Sequence, residues 1–196
     1  MKKAAILLAL LVTLGVLAGA QEETRGFYID VGGGWTWIKY PDPFNTMVKN
    51  IAKISGISRT SIDIDLSIGY ALHPRFYLVG SLGGVIDSLS AVNTLSFTTL
   101  TFGPGIKFYP LPSMKYLQLG FDMGYSSMSV SLSDSSESFS GPGGFAMQLS
   151  VFGDFDSTLC GPALLMGAKG YLGILDGEMV SSVSVVAKFV FKGRKK

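Results

Sequence analysis

Eight charged residues fall at positions that an extended chain would carry on one face: Asp30, Asp63, Asp65, Asp122 and Asp154, with Lys107, Lys169 and Lys188. Carboxylates and ammonium groups sharing a confined space have three chemical uses. They neutralise one another in hydrogen-bonded pairs, they line a polar path for small solutes or ions, or they form a cluster that binds an ion or passes a proton. All three use the same side chains, and the sequence leaves the choice open. Other chemistries find less support. The one histidine, His73, sits beside Pro74 at a strand end, so a nucleophile would lack its usual general base and no catalytic residue is assigned. Cys160 is the single cysteine; it offers no intramolecular disulfide or thiolate metal site and is expected to be a buried, inert thiol. Gly32–Gly34 lack the Gly-Lys-Ser/Thr of a phosphate loop. No enzyme, cofactor or metal site is expected.

The elements that must position these charges are strands, in which successive side chains point to opposite faces. From Ser61 to Leu72, the residues Ile62, Ile64, Leu66, Ile68, Tyr70 and Leu72 are apolar, and those between them are polar or small. Globular strands average about five or six residues, whereas a strand that crosses a bilayer needs about nine to eleven. Similar alternation recurs over Gly26–Lys39, Phe76–Asp87, Leu95–Tyr109, Lys115–Leu132, Phe145–Phe155, Leu159–Leu172 and Met179–Phe191. In the third strand Tyr77, Val79 and Val85 break the polarity of the inner face. A phase slip at Thr98–Thr99 predicts a bulge in the fourth, where Pro104 cannot donate to a ladder, and a second slip beyond Ser127 predicts a bulge in the fifth. Between Pro41 and Thr60, the spacing of Phe44, Met47, Val48, Ile51 and Ile54 predicts a short amphipathic helix lying on a rim.

Met1-Lys2-Lys3, an apolar run from Ala4 to Leu17, and Ala18-Gly19-Ala20 predict a secretory signal peptide over residues 1–20. Residues 21–196 then form one domain. Removing Lys2 and Lys3 lowers the 16 Lys+Arg to 14, against 14 Asp+Glu, so no nucleic-acid partner is expected. The basic tail, Lys192 to Lys196, is expected to be solvated. Charged residues make up 15% of the chain and hydrophobic ones 47%, whereas soluble domains carry about 25% charge. Past the leader no apolar run reaches the length of a spanning helix, and a closed barrel is the other structure that satisfies every backbone group in hydrocarbon. The expected fold is all-β: an eight-stranded antiparallel up-and-down transmembrane β-barrel with its charges in the lumen. A lysine on the lipid face near the midplane would cost about 2–4 kcal/mol, which favours the inward assignment.

The links between strands read as long, short, medium, short, long, short, medium, in keeping with short periplasmic turns and longer external loops. Residues 132–143 are expected to form a polar external loop, as are residues 40–60. Both mature termini then lie in the periplasm. Phe27, Tyr70, Phe76, Phe108, Phe155 and Phe191 fall near one end of their strands, and Trp35, Trp37, Tyr125 and Phe145 near the other, as two aromatic girdles require.

With its leader, its eight alternating segments and the ending Phe189-Val190-Phe191, the chain resembles the small eight-stranded outer-membrane proteins typified by the outer membrane protein A transmembrane domain and proteins X and W. The resemblance implies a monomer in the outer membrane of a diderm bacterium, surrounded by outer-membrane lipid and inserted by the barrel-assembly machinery. Lys192 to Lys196 follow the final aromatic, a departure from the family's usual terminal residue. The implied role is structural or adhesin-like surface interaction with an extracellular ligand. A narrow channel for small or hydrophobic solutes, similar to protein W, is the first alternative. A soluble lipocalin-like carrier with its apolar face turned inward is the second.

Overall fold

The structure is a computed structural model and describes residues 26–42, 44–73, 75–91, 93–110, 116–133, 138–155 and 161–192. Residues 1–20, Cys160 and the tail beyond Lys192 lie outside the described residues. Eight antiparallel strands pair in sequence order and close into a barrel. They are β1 (Phe27–Lys39), β2 (Ser58–His73), β3 (Phe76–Ser90), β4 (Thr94–Phe108), β5 (Leu117–Leu132), β6 (Ser138–Asp154), β7 (Gly161–Leu175) and β8 (Glu178–Lys192), with one helix, α1 (Phe44–Ala52), between β1 and β2. Closure comes from β1 pairing with β8, from Tyr28↔Lys192 to Lys39↔Ser181. Among the described residues no helix is long and apolar enough to cross a membrane.

The wall faces the way the alternation requires. Ile64 is 47% exposed, while Asp63 beside it is 1% exposed. Val31, Leu66, Leu149, Val183, Val185 and Phe189 are likewise exposed on the outside. This is a transmembrane wall, and it rules out the lipocalin-like carrier, whose apolar face would be turned inward. Phe27 and Trp37 are ten residues apart on β1. At ~3.3 Å per residue and a tilt near 40°, that separates them by about 25 Å along the axis, the height of the apolar band of such barrels. Phe27, Tyr70, Phe108, Phe155 and Phe191 are exposed towards the rim that carries the described chain ends, and Phe76, half-buried, packs on Phe108 there at 6.5 Å. Trp35, Trp37, Tyr125 and Phe145 are exposed towards the opposite, helix-bearing rim.

Several local expectations are corrected. No bulge occurs at Thr98–Thr99: β4 keeps one register against β3 and β5, and Phe97 points inward into a buried apolar cluster. Pro104 is accommodated because its pairing continues on the β3 side, opposite Gly80, while the β4–β5 ladder is interrupted at Gly103–Pro104. There Gly103 and Gly124 approach so closely that a Cβ on Gly103 would lie 2.1 Å from the Met123 carbonyl oxygen. The slip beyond Ser127 is real, a register shift between Ser127 and Ser129. The rhythm of long and short links does not hold. Strands run on at the helix rim, so Gly141-Pro142-Gly143 lies within β6 and not in a loop over 132–143. The β7–β8 link is a two-residue turn, Asp176-Gly177, with both φ values positive (49° and 84°), which is the backbone of a type I′ hairpin. The links after β4 and β6, expected to be short, span residues 109–116 and 155–160.

Candidate functional site

The lumen is built in three layers. Nearest the chain ends, Tyr28, Tyr77, Val79, Tyr109, Phe152, Leu165 and Val190 form a buried apolar layer, in which Tyr28 and Tyr77 pack at 4.8 Å and Tyr77 and Tyr109 at 6.2 Å. At the helix rim, Ile38, Tyr40, Val85, Leu89, Phe97, Tyr171 and Leu175 form a second layer, and α1 drops Val48 into it. Phe44 packs edge-on against Tyr40 and Phe97, at 5.0 and 5.1 Å. The helix was expected to lie on the rim; it stoppers the mouth instead, because one face of α1 has inward apolar residues to cover.

Most of the ions sit between these layers, and Asp154 lies at the level of the lower one, beside Tyr109. All eight charged residues singled out from the sequence are buried in the lumen. Lys107 Nζ donates to both carboxylate oxygens of Asp122, at 2.9 and 2.7 Å, and Ser81 donates to the same carboxylate. Lys169 bridges Asp63 and Asp65 across the lumen from β7 to β2. Lys188 reaches Asp65 at 3.2 Å and Asp30 at 3.4 Å and lies 4.9 Å from the centre of the Phe152 ring. Ser184 donates to Asp63 at 2.6 Å, and its oxygen lies 2.9 Å from the Thr36 hydroxyl. Asp154 is held by Lys192 and by the Tyr109 hydroxyl.

Three partners escaped the sequence reading. Lys192 is buried against Asp154 and stacks 4.9 Å from the Tyr109 ring, so it belongs to the lumen and not to a solvated tail. Its parity on β8, matching Lys188, was the available signal. Asp87, at the end of the third alternating segment, binds Arg59 through Nε and Nη2, at 2.9 and 2.8 Å, together with Tyr40 and Ser61. Tyr40 lies just beyond β1, above the tryptophans; burial and then the Asp87 carboxylate push its phenol well above the ordinary range, so it remains a donor. Finally, Gln118 donates to Tyr28 at 3.3 Å and Tyr109 at 3.0 Å. With Tyr28 donating to Asp30, this completes a chain of contacts from Lys188 to Lys192.

Among the described residues, five lumen cations face six carboxylates, each in at least one ion pair. Paired ions with an apolar layer at each end make a packed plug, as the width of an eight-stranded barrel permits. His73 serves its own turn, accepting from the Arg75 amide at 3.3 Å. Among the described residues no group of His, Cys, Asp and Glu is placed to hold a metal ion.

No protein-family profile matches the chain, and no curated protein matches it in sequence. Solved structures do. The attachment invasion locus protein Ail of Yersinia pestis superposes with a TM-score of 0.57 at 16% identity, over 87% of this chain and 100% of Ail. Ail in complex with the heparin analogue sucrose octasulfate gives 0.55 at 16% identity, over the same shares. Neisserial surface protein A gives 0.56 at 10% identity, over 84% of this chain and 96% of that one. The fold is that of the small eight-stranded outer-membrane β-barrels. What these barrels share with the chain is the closed wall; at such identities the comparison carries the fold and no residue of the lumen or rim.

Proposed function

We propose that the chain is an integral outer-membrane protein of a diderm bacterium that acts at its helix-bearing rim by binding an extracellular partner, in the manner of an adhesin. Residues 1–20 serve as its export leader, the barrel-assembly machinery inserts it as a monomer, and both mature termini face the periplasm. One observation carries this reading. The lumen is filled by paired ions between two apolar layers, so chemistry with the outside is left to the rim. The rim's longest link, Tyr40 to Ile57, is anchored by α1 and keeps Met47, Lys49, Lys53 and Ile54 exposed. The likeness in fold to Ail, a protein named for attachment and solved with a heparin analogue, supports the reading.

The test removes residues 44–56 and scores adherence of cells displaying the barrel. Loss of adherence with a barrel that still shows heat-modifiable migration supports the rim; unchanged adherence refutes it. In planar bilayers the refolded wild type passes no current above background. A steady conductance would return the function to the lumen.

A further inference from the structure

The wall is not evenly knitted at the helix rim. The β1–β2 ladder stops at Trp35↔Ile62, yet both strands run on. Thr36–Lys39 continues along β8, and Ser58–Ser61 continues along β3. The strands therefore part above the Trp35 level and leave a cleft of ≈ 480 Å³ whose lining includes Trp35, Trp37, Lys49, Arg59 and Thr60. On the other side of β1, Trp37 also walls a trough of ≈ 440 Å³ on the lipid-facing surface, lined by Lys39, Met147, Leu149, Gly170, Leu172 and Val183 among others. Gly170 keeps the trough open, since a Cβ there would meet nothing within 4 Å.

Two features of this double cleft point to one kind of ligand. Among the described residues its lining holds three cations, Lys39, Lys49 and Arg59, and no carboxylate; Arg59 is already engaged by Asp87, whereas Lys39 and Lys49 are exposed. Its depth is that of the tryptophans, where headgroups meet acyl chains, with the apolar trough running down from the cations. A soluble anion would use the lysines and gain nothing from the trough; an acyl chain alone would gain nothing from the lysines.

We propose that the double cleft is a binding site for a phosphate-bearing anionic membrane lipid, with its head beside Trp37 between Lys39 and Lys49 and one acyl chain in the Gly170 trough. The site works the same way whichever rim faces outward, so it stands apart from the proposed rim function. It fixes α1 and the parted ends of β1 and β2 to the leaflet around them.

The chain's two tryptophans, Trp35 and Trp37, are both in the site, which makes intrinsic fluorescence a local reporter. The experiment reconstitutes the barrel in vesicles of phosphatidylcholine containing brominated phosphatidylglycerol, or the same fraction of brominated phosphatidylcholine, and compares quenching. Each lysine near an anionic headgroup contributes about a five-fold preference, so wild type should favour phosphatidylglycerol by roughly ten-fold or more. The preference should fall to within about two-fold of unity in Lys39→Gln/Lys49→Gln and survive in Lys39→Arg/Lys49→Arg. Gly170→Leu, which fills the trough, should weaken quenching by the brominated chain while the heat-modifiable fold is kept. Equal quenching by the two lipids in wild type, or a preference that survives Lys39→Gln/Lys49→Gln, overturns the proposal. So does inorganic phosphate in detergent micelles reproducing the spectral change, which would mark a plain anion site.

Discussion

A lumen filled with paired ions makes a sharp demand on the Lys107–Asp122 pair. The ammonium nitrogen lies 2.7 Å from one carboxylate oxygen and 2.9 Å from the other, and the two side chains are 2% and 10% exposed. Lys107→Met leaves Asp122 with Ser81 and no cation in direct contact among the described residues, Lys188 acting only through longer-range attraction; Asp122→Asn leaves a buried ammonium facing an amide. Stripping one member from a buried pair costs about 3–5 kcal/mol, because the survivor stays desolvated and uncompensated. That range lowers the folded-to-unfolded ratio by roughly two to three and a half powers of ten. Lys107→Met/Asp122→Asn removes both charges and should return to within about 1 kcal/mol of wild type, giving a coupling energy of about 5 kcal/mol or more. Urea titration in lipid vesicles, followed by the fluorescence of Trp35 and Trp37, measures all four proteins. If each single variant costs under ~1 kcal/mol and the coupling is as small, the pair behaves like an exposed one. The lumen would then be wet, and the case for a plug would fail.

Other outcomes follow from the same contacts. Val48→Asp places a charge where α1 is fully buried in the mouth; the helix should undock and become cleavable by trypsin at Lys49 or Lys53, with the barrel still resistant. A Cβ on Gly34 would lie 1.9 Å from the Val185 carbonyl oxygen, whereas one on Gly33 meets nothing closer than 3.3 Å; Gly34→Ala should refold in low yield or lose about 3 kcal/mol or more, and Gly33→Ala about 1 kcal/mol or less, by urea titration. Lys192→Met removes the ion pair with Asp154 and the ammonium stacked on Tyr109, and should lower stability by up to about 3 kcal/mol in that assay.

The barrel was legible because a lipid-facing wall enforces period two on one face whatever the other contains. Ile62 to Tyr70 announces its strand, and the inward placement of Asp63 and Lys169 follows from parity. The errors arise where the inside is not polar. Phe97 looked like a slip in phase because an inward residue was expected to be hydrophilic; it is inward and apolar because it belongs to the upper layer that α1 covers. Tyr77, Val79 and Val85 broke the pattern for the same reason, in the two layers. The Arg59–Asp87 pair was missed because Arg59 precedes the recognisable part of β2, at a height where the outward face is no longer greasy. Strand ends failed wherever Ser and Gly carry the ladder, as in β6 from Ser138 to Gly144, since these residues give little strand signal of their own.

The ion pairs also explain how so plain a pattern specifies one barrel. A one-residue slip exchanges the two faces of a strand, and on β2 it would turn Asp63 and Asp65 towards lipid. Parity alone penalises that slip but says nothing of a slip by two, which keeps every polar residue inside. The bridges do discriminate. Lys169 on β7 reaches Asp63 and Asp65 on β2, and Lys192 on β8 reaches Asp154 on β6; neither pair of strands is adjacent in the barrel. A two-residue shift of β2 or β6 would move these carboxylates about 7 Å along the axis of the strand, pulling them away from Lys169 and Lys192. The apolar lids raise the cost of every such mismatch by excluding the water that would otherwise solvate it. Filling the lumen with bridged ions and fixing the register are thus one device.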